Sequence, residues 1–187
     1  MENESGWAES KAKERSSQNF VRTLFDLSGY EIMDFGIENH KQEIIKQIKT
    51  NYKPETNRRL LSMPDFVVMD KESKETWIIE VKNRNYKEYF DMKKSNVAFK
   101  WGHMKDYLDF WKDATLILTF NVSPYCLCVD FNQVNWNIHF KEKFQNSEGN
   151  FDELWNFCGI YQIINKKFPK VTEETFKKTL YVLGIKN

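Results

Sequence analysis

The apolar positions of the chain follow two spacings in turn. Over residues 9–28, Ala12, Phe20, Val21, Leu24, Phe25 and Leu27 share one side of a 3.6-residue period, which predicts a helix stopped by Ser28-Gly29. YEIMDFG, residues 30–36, predicts a first strand, and ENHKQEIIKQIKT, residues 38–50, a short polar helix. A loop containing Pro54 then leads into two apolar runs, 66–69 and 76–79, joined by the charged spacer DKESKE. That pattern predicts a hairpin. After Lys82 comes a long charged connection, then a helix over about residues 100–112, strands at 114–120 and 125–131, and a candidate strand at 134–140. The tail carries two amphipathic segments, 151–165 and 172–183, both predicted as helices. Thr172 is the candidate N-cap of the second, with Glu173 and Glu174 near the positive end of its dipole.

This order predicts a mixed α/β (α+β) fold, with a mixed central sheet flanked by helices. Residues 1–140 are expected to form the core and 141–187 a C-terminal helical extension packed on it. The composition agrees: 187 residues, 41% hydrophobic and 16% aromatic, are enough for a packed core. A net charge of +1 confines any nucleic-acid contact to a local patch. Cys126, Cys128 and Cys158 form neither a disulfide framework nor a zinc spacing, and the first two are expected in the core of a strand. With no apolar run near ~20 residues and a polar start, MENESGWAESKAKERS, the expectation is a soluble cytoplasmic protein with no membrane partner.

The hairpin carries the chemistry. Asp65 heads its first strand, and Glu80-Val81-Lys82 closes the second. In an antiparallel pair, Asp65 and Glu80 meet at one end of the sheet. Glu80 and Lys82, two apart, share a face, while Val81 points away. Two carboxylates beside an ammonium suit a hard divalent cation such as Mg²⁺, with Mn²⁺ able to substitute. Metal-assisted hydrolysis of a phosphodiester is the reaction these groups fit. An ordinary ion pair at the strand ends is the competing explanation.

Pro64-Asp65, fourteen intervening residues and Glu80-Val81-Lys82, together with the element order, resemble the PD-(D/E)xK nuclease superfamily over about residues 9–131. The resemblance implies a restriction-endonuclease-like αβββαβ core. It implies Asp65, Glu80 and the Val81 carbonyl as metal ligands, Lys82 as the catalytic lysine, and DNA as the expected substrate. Archaeal Holliday-junction resolvases and Mrr-like restriction nucleases carry a helix glutamate eleven residues before a Gly-aromatic pair. Counting back from Gly29-Tyr30 gives Gln18, with Glu14 one turn earlier, so either would complete the metal shell and Glu14 is favoured as the charged ligand. Helicase-associated (RecB-like) exonucleases show Gln-x-x-x-Tyr after the sheet, where this chain has His103 and Tyr107.

Between residues 82 and 105, seven cations, among them Arg84, Lys87, Lys93, Lys94 and Lys100, face two acids, Glu88 and Asp91, with aromatic residues interleaved. Cations neutralise phosphates and aromatics stack on unpaired bases, so Arg84, Lys87, Lys93, Lys94 and Lys100 are candidate nucleic-acid contacts. A solvated loop is the competing explanation. For Glu14 it is a surface charge, for His103 a surface histidine, and for Tyr107 simple packing. Two further functions stay open: a nucleic-acid-binding or assembly module that keeps the fold without turnover, and an RNA-cleaving endonuclease. A homodimer is compatible with all of them.

Overall fold

The computed structural model describes residues 2–37, 42–85, 98–123, 125–133, 148–150 and 167–185. Helix α1 (Glu2–Leu27) leads into strand β1 (Glu31–Asp34), then helices α2 (Gln42–Thr50) and α3 (Glu55–Leu61). Strands β2 (Phe66–Met69) and β3 (Thr76–Arg84) follow, then β4 (Ala98–Lys100) and helix α4 (Trp101–Phe110). Strands β5 (Thr115–Phe120), β6 (Cys126–Asp130) and β7 (Glu148–Asn150) and helix α5 (Glu173–Val182) complete the described elements. The candidate strand at 134–140, the candidate helix at 151–165 and Cys158 lie outside the described residues.

Five strands form one mixed sheet in the order β1-β2-β3-β5-β6, antiparallel throughout except for the parallel β3–β5 pair. β5 is buried along its whole length, as a central strand covered on both faces must be. One face packs Phe20, Val21, Leu24 and Phe25 of α1 onto Phe66, Val68, Ile79 and Val81. The other packs Met104 and Tyr107 of α4 onto Leu116 and Leu118. Cys126 and Cys128 are buried in the first of these cores, and burial pushes the Cys128 thiol up to about 12.

Local rules explain where the elements end. Gly29, at φ +82°, closes α1 in a Schellman turn: Gly29 N–H donates to Asp26 O and Tyr30 N–H to Phe25 O. Thr172 caps α5 as expected, in a capping box with Thr175.

Three expectations are corrected. The Pro54 loop continues as a helix, α3, because Pro54 stands at its N-cap and starts the turn rather than breaking it. β3 runs on past Lys82 to Arg84, since β5 supplies ladder partners for Ile79 through Arg84. β4 and β7 pair as a separate two-stranded ribbon. Glu-Gly-Asn at 148–150 has no apolar alternation to announce it.

The described part of the C-terminal segment belongs to the same core as α1. Phe168 is fully buried, with ring centroids 4.8 Å from Phe25 and 5.1 Å from Trp77, and Phe176 meets Phe20 edge-on at 6.0 Å. Lys170 Nζ donates to Asp70 Oδ1 (2.9 Å), tying this segment to the β2–β3 turn. Phe168→Ala is therefore expected to cost about 3–5 kcal/mol in denaturant unfolding. Tyr181→Ala, at a side chain 85% exposed, should stay within about 0.5 kcal/mol of wild type.

Candidate functional site

Asp65 lies one residue before β2, and its backbone is fixed from the β1 side. Phe35 N–H and Gly36 N–H both donate to its carbonyl, at 2.9 and 3.3 Å. In the β2–β3 ladder Phe66 stands opposite Ile79, so the register carries Asp65 to the level of Glu80. Asp65 stands just outside that ladder: its carboxylate meets Gln18 of α1 while that of Glu80 meets Tyr107 of α4, and the two are near enough for the charge of Glu80 to act on Asp65. Asp65 Oδ2 accepts from Val81 N–H and Oδ1 from Gln18 Nε2, both at 2.7 Å. Each oxygen keeps lone-pair capacity beyond these bonds.

Glu80 is only 2% exposed. Its Oε1 accepts from Lys82 Nζ and, at 2.6 Å, from Tyr107 Oη. Lys82 Nζ also donates to Tyr107 Oη (3.2 Å) and lies 5.1 Å from the centre of that ring. Tyr107 is thus drawn into the site while its ring stacks on Phe131 at 5.7 Å. The helix that carries it is clamped from the next residue. Arg58 Nε and Nη2 of α3 donate to Asp106 Oδ1 at 2.9 and 2.5 Å, and Tyr52 Oη donates to Oδ2 of the same carboxylate.

The electrostatics follow from this crowding. Burial, and next the charge of Glu80, push the Asp65 pKa well above the usual carboxylate range, against the opposing pull of Lys82, Val81 N–H and Gln18. Burial works against the Lys82 ammonium too, but Glu80, Tyr107 and Asp65 outweigh it and hold its pKa well above the ordinary value. Burial and Glu80 likewise keep the Tyr107 phenol protonated. In this arrangement Lys82 is a fixed cation rather than a base.

The donor set fits a hard cation: two carboxylates, each raising the other's energy, with only oxygen atoms offered. Among the described residues no group of three or more His, Cys, Asp or Glu side chains forms a metal cluster. Asp65 and Glu80 with the Val81 carbonyl are the donors a Mg²⁺ or Mn²⁺ ion would use. The helix position beside Asp65 is filled by Gln18. Glu14, one turn earlier on the same helix face, instead pairs with Lys11 at 2.8 Å. Arg84 donates to the Asn83 carbonyl (2.7 Å) and stacks on Phe99 at 4.8 Å. Lys87, Lys93 and Lys94 lie outside the described residues, as do the side chains of Lys100 and His103. Reading the sequence missed the Val81 N–H, a backbone donor with no residue-type signature.

Because the folded protein binds a proton at Asp65 more tightly than the unfolded chain does, ionised Asp65 destabilises the metal-free protein. Asp65→Asn, with Gln18 turned to present its carbonyl, keeps both hydrogen bonds and removes the repulsion. It should raise the melting temperature at pH 7–8 by about 2–4 °C, roughly 1 kcal/mol. That gain should shrink as the pH falls through the raised pKa towards the unfolded value, 3.8. A scan of melting temperature against pH in EDTA measures it, and a gain that grows on acidification contradicts the assignment.

Comparison with protein-family models, with curated proteins and with solved structures found no match.

Proposed function

We propose that this protein is a metal-dependent nuclease that hydrolyses phosphodiester bonds, with DNA as the expected substrate. The observation that carries the reading is the hairpin register, which gathers Asp65 and Glu80 next to the Lys82 ammonium. The order of the sheet, an antiparallel β1-β2-β3 meander followed by β5 parallel to β3, is compatible with a restriction-endonuclease-like core. The sequence resemblance to PD-(D/E)xK nucleases supports the same reading.

A bound Mg²⁺ would supply charge neutralisation at the phosphoryl oxygen and a water of lowered pKa. The chain's own groups do the rest. Asp65 and Glu80 offer two carboxylate oxygens from adjacent strands, and Val81 its carbonyl. Lys82, held cationic, orients the attacking water and meets the negative charge that builds on the phosphoryl group. Tyr107 fixes the Glu80 carboxylate by its hydrogen bond, so that oxygen is aimed before substrate arrives. Gln18 does the same for Asp65.

A second reading is favoured by one observation: Gln18, a neutral amide, occupies the helix position where a third carboxylate would strengthen metal binding. A nucleic-acid-binding or assembly module without turnover fits that substitution. RNA as substrate is a variant of the first reading.

Incubation of plasmid, linear and branched DNA and structured RNA with Mg²⁺ or Mn²⁺ tests both. Cleavage should fall by at least about 10²-fold in Asp65→Ala and Lys82→Ala. Cutting that persists in both variants rejects these roles. Calorimetric titration with Mn²⁺ separates the alternatives: binding lost in Glu80→Ala supports the enzyme, and a wild type that binds no metal supports the module.

A further inference from the structure

Helices α2 and α3 are inserted between β1 and β2, and the bonds of this insert converge on one carboxylate. Asp106 of α4 is only 3% exposed. Its Oδ1 accepts from Nε and Nη2 of Arg58, at 2.9 and 2.5 Å, and its Oδ2 accepts from Tyr52 Oη. Arg58 also donates to Asp109 Oδ2 at 3.2 Å and lies 5.4 Å from the centre of the Phe110 ring. The next residue, Arg59, stands 5.5 Å from the Trp111 ring, whose Nε1 donates to Ser62 Oγ at 3.3 Å. The insert thus grips α4 from residue 106 to its end.

Stability alone does not account for a buried charge pair in this place. α4 already presses Met104 and Tyr107 onto Leu116 and Leu118, with Leu108 and Trp111 beside them. Apolar residues of equal volume hold two helices together as well as a buried ion pair, or better. Such packing is non-directional. Charge-assisted bonds from Arg58 to one oxygen, and a phenol on the other, fix an orientation that packing leaves free. That orientation matters at the neighbouring residue. Tyr107 Oη donates to Glu80 Oε1 at 2.6 Å and lies 3.2 Å from Lys82 Nζ. A roll of α4 by about 10° would carry a group about 6 Å from the helix axis by about 1 Å, enough to break a hydrogen bond of that length.

We propose that Arg58 and Tyr52 are positioning residues of the acidic site: through Asp106 they set the rotation of α4, and α4 in turn aims Tyr107 at the Glu80 carboxylate. Neither touches the metal or the substrate. The inference rests on the nuclease reading for its metal ion and adds the α2–α3 insert as the lever that tunes how tightly the site holds that ion.

The test is a double-mutant cycle between Arg58→Lys, which keeps the charge and removes the planar group, and Tyr107→Phe, which removes the hydroxyl. The two side chains share no hydrogen-bond partner, so an Arg58 of merely structural role gives losses that add. Mn²⁺ affinity is read by calorimetric titration, and the melting temperature is read separately in EDTA. Each single variant should weaken Mn²⁺ binding about five-fold or more, and the double variant should lie within about two-fold of Tyr107→Phe. In EDTA the drop in melting temperature caused by Arg58→Lys should likewise shrink in the Tyr107→Phe background. Losses that add in either readout overturn the proposal. So does an Arg58→Lys variant that melts early yet binds Mn²⁺ as wild type does. If Arg58→Lys does not fold, Tyr52→Phe takes its place in the cycle with the same two outcomes. Failures of the two readings are distinguishable. Additive losses in a protein that binds Mn²⁺ and cuts DNA sink this inference alone. A protein that binds no Mn²⁺, but whose melting cycle in EDTA shows the coupling, sinks the nuclease alone.

Discussion

The structure is organised around the repulsion between two carboxylates that the hairpin holds together. Asp65 and Glu80 are brought level by the pairing of Phe66 with Ile79, and neither can move away without breaking that ladder. In water the two charges would interact weakly. In a partly desolvated pocket the same approach is expensive, which is why the Asp65 pKa rises. The surrounding groups answer this strain one by one. Lys82 and Tyr107 compensate Glu80, while Val81 N–H and Gln18 compensate Asp65. Outside them stands a second layer that includes the Arg58–Asp106 pair, which holds α4 so that Tyr107 reaches its partner. A strained carboxylate of this kind is what the proposed cation-binding pocket would use.

The same strand serves two surfaces. Along β3 the alternation of side chains sends Ile79 and Val81 into the α1 core, and Glu80 and Lys82 towards α4. Strand β5, parallel to it, carries the same division, with Ile117 on the α1 side and Leu116 and Leu118 on the α4 side. The acidic and the apolar side chains of β3 are therefore served by different neighbours. Changes in one can be made without dismantling the other.

How much of this could be read from the residues depended on how local the cause was. The α1 stripe ending at Leu24 and Phe25, the Gly29 stop, the Thr172 cap and the Asp65–Glu80 hairpin all follow from spacings of a few residues. Helix α3 was missed because Pro54 breaks one kind of helix position and starts another, and only context separates them. Asn83 and Arg84, the last residues of β3, carry no strand signal because they are polar and owe their conformation to β5, a partner distant in sequence. The choice between Glu14 and Gln18, which share a helix face, turned on how far along its axis α1 meets Asp65, which spacing alone does not fix. The tyrosine at position 107 was visible as a spacing, but its bond to Glu80 depends on the tilt of α4 over the sheet.

The parallel pairing of β3 with β5 also sets an order of assembly. The β2–β3 hairpin closes through a turn of six residues, so the acidic pair comes together as soon as two neighbouring segments meet. The central ladder joins residues such as Asn83 and Thr119, 36 positions apart, and must wait for the intervening chain to cross over. Tyr107 arrives only with that crossover. Contact order thus predicts that the two acids become neighbours before Tyr107 reaches Glu80, leaving Lys82 as the nearest counter-charge in the isolated hairpin.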